Sequence, residues 1–115
     1  MFIKSQKNEK IEFDIKEWND DVKAYIKPLN GFERLEFNDF FIDFYNKKST
    51  PDDRFDAGFR AALLTLVTDG DAPLLTEADR DAVRAGSFVP FFRLFNAVLL
   101  QYDEMGRELD TLKKN

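Results

Sequence analysis

Apolar and polar positions change period once along the chain, near Pro28. Before it, Ile11, Phe13 and Ile15 alternate with Glu12, Asp14 and Lys16, and Val22, Ala24 and Ile26 alternate with Lys23, Tyr25 and Lys27. A period of two places one set of side chains on one face of a strand. Asn19-Asp20-Asp21 lies between the two runs, and short polar side chains that bond the local backbone favour a turn. Residues 1–28 are therefore expected to hold a β-hairpin, with Phe2-Ile3-Lys4 as a candidate third strand. Pro28 cannot donate to a ladder and closes the second strand. A lone hairpin is marginal in water, so helices must pack behind it, with Trp18 as an edge anchor. The lysines of this region read as solvated strand faces that discourage unwanted edge pairing.

Beyond Pro28 the period becomes helical, and the pattern predicts helices over 30–46, 52–67, 77–85 and 88–104, followed by a frayed tail over 106–115. Asn30 with Glu33 forms a capping-box signature. Ser49 or Thr50 caps the second helix, with Pro51 in its first turn and Asp52 and Asp53 beside the positive end of the dipole. Asp69-Gly70 predicts a tight turn with positive φ at Gly70. Thr76 with Asp79 starts the short third helix, and Gly86 is expected to end it in a left-handed cap. Ser87 caps the last helix, whose first turn tolerates Pro90. Phe88, Phe91, Phe92, Phe95, Val98, Leu99 and Tyr102 share one stripe of that helix, the largest apolar surface in the chain. The rest should assemble against it. The fold class is thus α+β, mostly helical: a single domain with an N-terminal β-hairpin packed against about four helices.

Some apolar residues fall off these stripes. The first helix has its main stripe at Phe37, Phe40, Phe41 and Phe44, flanked by Tyr45, and a second set, Phe32, Leu35 and Ile42, nearly opposite. A helix apolar on two sides is either sandwiched within its domain, the commoner arrangement, or meets a partner. On the second helix Phe55, Phe59, Ala62, Leu63 and Leu66 form the main face, leaving Ala57, Ala61 and Leu64 as a weaker far side. Val89 and Leu100 lie off the stripe of the last helix, near Arg93. Leu35, Ile42, Leu64, Val89, Arg93 and Leu100 are therefore the candidate partner-binding residues. Leu100→Asp is expected to weaken binding and spare the fold, and Phe95→Asp to unfold it.

Composition narrows the chemistry. The 115 residues carry 13 Phe, no Cys, no His and a net charge of −5. Phe has no polar tip to satisfy and suits a core or an apolar interface. Acidity disfavours nucleic acid and anionic membranes as partners. Without Cys or His, disulfides, thiolate chemistry, imidazole ligands and the commonest general base drop out. The acidic connector fails as an EF-hand: with Gly70 at the sixth loop position, Thr65, Val67 and Thr76 fall where calcium needs carboxylates. The carboxylate pairs Asp20-Asp21, Asp52-Asp53 and Asp69/Asp71 lie in polar loops that would not tune them for acid–base work. The glycines form neither a phosphate-binding loop nor a dinucleotide fingerprint. No catalytic constellation, cofactor site or metal site is expected. The N-terminal residues lack the apolar run of a signal peptide, and no apolar run could span a bilayer. A cytosolic location is the expectation.

From Val22 to Tyr102 the order of segments resembles the tail assembly chaperone family of long-tailed bacteriophages. It comprises a Lys-containing strand ending in Pro28-Leu29, a helix opening at Gly31-Phe32-Glu33, an aromatic helix pair, and a closing helix from Ser87 to Leu100. The connecting run, Leu66-Val67-Thr68-Asp69-Gly70-Asp71-Ala72-Pro73-Leu74-Leu75-Thr76-Glu77-Ala78-Asp79, carries most of the resemblance. It has an acid–Gly turn, Pro-Leu-Leu-Thr and an acidic helix start, although Leu75 stands where an aromatic is expected. The resemblance implies a non-catalytic protein of the bacterial host cytoplasm. Such a protein binds the tape-measure protein before the tail tube forms around it, then gives way to, or recruits, tail tube subunits. It leaves homo-oligomers open and transfers no individual binding residue. The alternatives are a small structural tail or neck protein of the particle, or a cytosolic interaction module unrelated to phage.

Overall fold

Short polar side chains start each of the first two helices by satisfying amides that have no partner within the helix. In the computed structural model, which describes residues 9–100, the Asn30 side chain accepts the Glu33 N–H at 2.8 Å and the Glu33 carboxylate accepts the Asn30 N–H at 3.1 Å. This reciprocal pair opens helix α1, Gly31–Tyr45. Thr50 Oγ1 accepts the Asp53 N–H at 3.1 Å and Pro51 takes the first position of helix α2, Pro51–Thr65. Strands β1 (Ile11–Phe13) and β2 (Ala24–Ile26) precede them, and strand β3 (Leu66–Val67) follows α2 directly. A 3-10 turn, Glu77–Asp79, leads into helix α3, Arg80–Ala85. Helix α4 is described over Val89–Leu100. The architecture is α+β and mostly helical.

The sheet has the order β1-β2-β3, both pairings antiparallel, with Ile11 opposite Ile26 and Tyr25 opposite Val67. The expected third strand, Phe2-Ile3-Lys4, lies outside the described residues. β3 takes the third place, although the sequence pattern extends the second helix to residue 67. Two backbone hydrogen bonds hold it there: Leu74 N–H to Leu66 O at 3.1 Å and Lys27 N–H to Thr65 O at 2.9 Å. The hairpin connection is longer than a tight turn. Ile15 stays buried after β1, and both the Trp18 and Asn19 N–H groups donate to Ile15 O. Asn19 accepts the Asp21 N–H at 2.8 Å, so the turn chemistry is local and real. Val22 falls in this connection and is exposed, not in the strand.

Both glycine expectations need correction. No glycine among the described residues has positive φ. Asp71 does, at 67°. Its N–H reaches Thr68 O at 3.0 Å and the Thr68 N–H reaches Ala72 O at 2.8 Å, so the loop closes one residue later than expected, on a residue type that tolerates the left-handed region. Gly86 is extended, with φ −95° and ψ −161°, because the chain must swing by 113° between α3 and α4.

The core forms where α1, α2 and α4 meet. Phe59, Phe91, Leu94, Phe95 and Val98 are buried, and Phe95 packs against Phe37 at 5.2 Å and Phe44 at 4.9 Å between ring centroids. The buried stripe of α4 is rotated from the expected one. Leu94 is inside, whereas Phe88 and Phe92 remain partly exposed at the edges of Phe55 and Phe44. Tyr102 lies outside the described residues. The far side of α2 is also inside: Ala57, Gly58 and Ala61 are buried with Phe55 and Phe59. Small residues admit a neighbour at close range. A Cβ placed on Gly58 would stand 2.9 Å from Phe91 Cδ2 and 3.2 Å from Phe44 Cδ2.

Gly58→Val should therefore lower the unfolding free energy by about 1–3 kcal/mol through overpacking, read as a lower midpoint in urea at unchanged slope. Phe95→Asp should abolish the cooperative transition, because it buries a carboxylate among rings. Leu100→Asp should shift the midpoint little, since Leu100 is exposed; circular dichroism melts separate the two outcomes.

Candidate partner-binding surface

The capping box fixes the start of α1 and hence the direction of every side chain along it. Lys27 reinforces that start, since its ammonium meets Glu33 Oε2 at 2.5 Å. At the other end Arg54 Nε donates to Phe44 O at 2.7 Å, covering a carbonyl of the last turn. With both ends held, Phe37 and Phe44 face the core and Phe40 and Phe41 are half-buried. Phe32, Leu35 and Ile42 point outward, with relative exposures of 71%, 63% and 54%. Among the described residues nothing sandwiches α1 on this side.

These outward residues recur at three and seven positions, which keeps them within about 80° on a helix of 3.6 residues per turn. The stripe is about 15 Å long at 1.5 Å per residue. Exposed Asp39 lies within this arc, exposed Asp43 and half-buried Glu36 follow on one side of it, and Asn38 lies on the other. None of the three carboxylates forms an ion pair among the described residues, whose pairs all involve other acids. Arg34 is the one basic residue of α1, and it is half-buried on another side. The outward face of α1 is thus an apolar ridge with negative charges along one side that no lysine or arginine among the described residues pairs.

The six candidate residues divide into three groups. Leu35 and Ile42 share the α1 ridge, joined by Phe32. Val89, Arg93 and Leu100 lie along one side of α4, with Val89 and Leu100 exposed. Leu64 stands apart on α2 and is half-buried. Arg93 is already engaged within the chain: Nη1 and Nη2 hold the two Glu17 oxygens at 2.8 and 2.7 Å, and Nη1 also donates to Asp14 O at 2.6 Å. This fork ties α4 to the hairpin connection. It holds the Glu17 carboxyl at a pKa of about 2, chiefly through the hydrogen bonds from Arg93.

Sequence reasoning missed the cleft beside Trp18. It measures about 430 Å³ and is lined by Ile15, Trp18, Val22, Leu75 and Val83 among others. The Trp18 Nε1–H donates to Ser87 O at 2.7 Å, and its ring meets Phe91 edge-on at 5.5 Å. Trp18 was legible as an anchor, but its partners come from the far end of the chain. The carboxylates at the rim are occupied, Glu17 by Arg93 and Asp79 by the Thr76 N–H at 2.8 Å. The acids of the connector are likewise spoken for, since Lys10 Nζ lies 3.1 Å from Asp71 Oδ1 and 3.7 Å from Asp69 Oδ1. Among the described residues no group of three or more acidic side chains is arranged to hold a metal ion.

No protein-family model, curated protein or solved structure matches the chain. Among the described residues no single helix is long and apolar enough to cross a membrane. The residues from Glu77 to Leu100 pass such a test only as a bent pair, and Val83, Phe91, Leu94, Phe95 and Val98 from that pair are buried in the core.

The Glu17–Arg93 fork predicts a specific acid response. The folded-state pKa of Glu17 lies below its ordinary value of 4.5. The stabilisation is therefore complete above that value and is lost as pH falls from there towards about 2. Thermal melts across this range should show Glu17→Gln with a shallower acid limb than the parent, and with a lower Tm at neutral pH.

Proposed function

We propose that the chain is a tail assembly chaperone of a long-tailed phage or prophage. It binds the tape-measure protein in the host cytoplasm and keeps that protein's apolar surfaces soluble until tube subunits replace it. The observation that carries this reading is the outward ridge of α1. Phe32, Leu35 and Ile42 are exposed together on one face of one helix instead of being scattered singly. They lie on a helix whose ends are fixed, so the ridge is presented in one orientation. The resemblance of the run from Leu66 to Asp79 adds the phage assignment. That run forms β3, the Asp71 loop and the 3-10 turn.

A chaperone of this kind needs no reacting group. It needs an apolar surface that a client helix can cover and enough charge to keep the complex dispersed. Helix-in-groove recognition uses anchors at the spacing of Phe32, Leu35 and Ile42. The net charge of −5 supplies mutual repulsion between coated assemblies.

Co-expression with overlapping fragments of the tape-measure protein encoded beside this gene tests the reading. A fragment should co-elute with the chain on size-exclusion chromatography, and the chain should be absent from purified particles. Presence in particles at fixed stoichiometry would instead make it a structural tail or neck component. Absence of a long helical tape-measure gene from the neighbourhood would remove the phage assignment.

A further inference from the structure

The α1 ridge has a chemical polarity that narrows its occupant. Phe32, Leu35 and Ile42 form its crest, and Asp39, Asp43 and Glu36 run along one side of it without cationic partners among the described residues. We propose that this face docks an amphipathic helix whose apolar stripe is bordered by lysine or arginine, the segment of the client that the chaperone reading requires. The inference rests on that reading for the identity of the client, and on the charge pattern of α1 for the chemistry of the segment.

Charge complementarity selects this occupant over the others. A second copy meeting the ridge through a two-fold axis would set Asp39 and Asp43 against the same residues of its partner, a like-charge arrangement that opposes docking. An anionic bilayer would meet the same repulsion. A helix with acidic borders would leave its carboxylates opposed to Asp39 and Asp43. A helix with basic borders places cations beside Asp39 and Asp43 while its stripe covers Leu35 and Ile42. The acids also set the approach, because long-range attraction orients the client before apolar contact forms. The ridge length of about 15 Å requires roughly three turns of client helix. Asp14, Glu17, Glu33, Asp52, Asp56, Asp69, Asp71 and Glu77 are poorer candidates, since each already faces a lysine or arginine.

Two synthetic helical peptides with the same leucine stripe, one bordered by lysines and one by glutamates, test the inference by fluorescence anisotropy against the full chain. The lysine peptide should bind about tenfold or more tightly than the glutamate peptide at low salt, and the gap should narrow towards about 0.5 M salt. Asp39→Lys combined with Asp43→Lys should reverse the order of the two peptides. Leu35→Ala combined with Ile42→Ala should weaken the lysine peptide by about tenfold. All four positions are exposed, and circular dichroism confirms that each variant is folded. Equal affinity for both peptides, no reversal in the lysine double variant, or amide shifts centred on the Trp18 cleft would overturn the proposal. So would a dimer in sedimentation that Leu35→Asp dissociates. Failure here and failure of the chaperone reading are distinguishable. If tape-measure fragments still co-elute with the Asp39→Lys/Asp43→Lys variant, the α1 assignment falls and the function stands. If the lysine peptide binds but no tape-measure fragment does, the face stands and the client is another protein.

Discussion

α4 approaches α2 closely at Gly58, and the remaining packing follows from that contact. No β-carbon fits at that position beside the Phe91 and Phe44 rings. Because Phe91 sits directly on the α2 backbone, α1 and α4 reach each other over the top of α2 through Phe37, Phe44 and Phe95. Offset and edge-on ring geometries fill this space without requiring a polar partner. Thirteen phenylalanines in a chain of this size are compatible with folding because one helix is thin enough to let the others close around it.

Charged groups orient what the rings hold together. Glu17 and Arg93 fix the hairpin connection on α4, Lys27 and Glu33 fix β2 on the first turn of α1, and Arg80 links Asp56 of α2 to Glu77 ahead of α3. Arg80 also lies over the Phe59 ring at 4.7 Å. Exposed ion pairs contribute little each. A bidentate fork nevertheless discriminates between orientations that apolar contact alone would accept. Glu36, Asp39 and Asp43 take no part in these ties, and they give the outward side of α1 its negative charge.

Features that depend on residues three or four apart were legible in the sequence. Asn30 with Glu33, Thr50 with Pro51, and Thr76 with Asp79 each satisfy a helix start locally, and each was placed correctly. The opposition of Phe32, Leu35 and Ile42 to Phe37 and Phe44 was visible too, although only packing could decide whether a layer covers it. Features set by distant partners were not legible. Leu66 and Val67 continue the helical pattern of α2, yet they pair with Ile26 and Tyr25, and the hydrogen bonds gained there outweigh one further turn. Ala57 and Ala61 read as a weak patch because side-chain size was equated with burial. In the fold their smallness is what allows burial. Leu94 falls off the apolar stripe of α4, and Phe88 and Phe92 fall on it, because a stripe read from one helix alone leaves its rotation against its neighbours undetermined.

The junction of α2 and β3 has a mechanical consequence. Thr65 is the last residue of the helix and Leu66 the first of the strand, and Thr65 also receives the Lys27 N–H while its own hydroxyl donates to Ala61 O at 2.8 Å. No spacer is left to absorb a rotation, so the rod and the sheet behave as one stiff girder. Whatever settles on α1 meets a platform already braced from beneath, with little freedom left to surrender on contact. Most of the ordering cost then falls on the visiting chain.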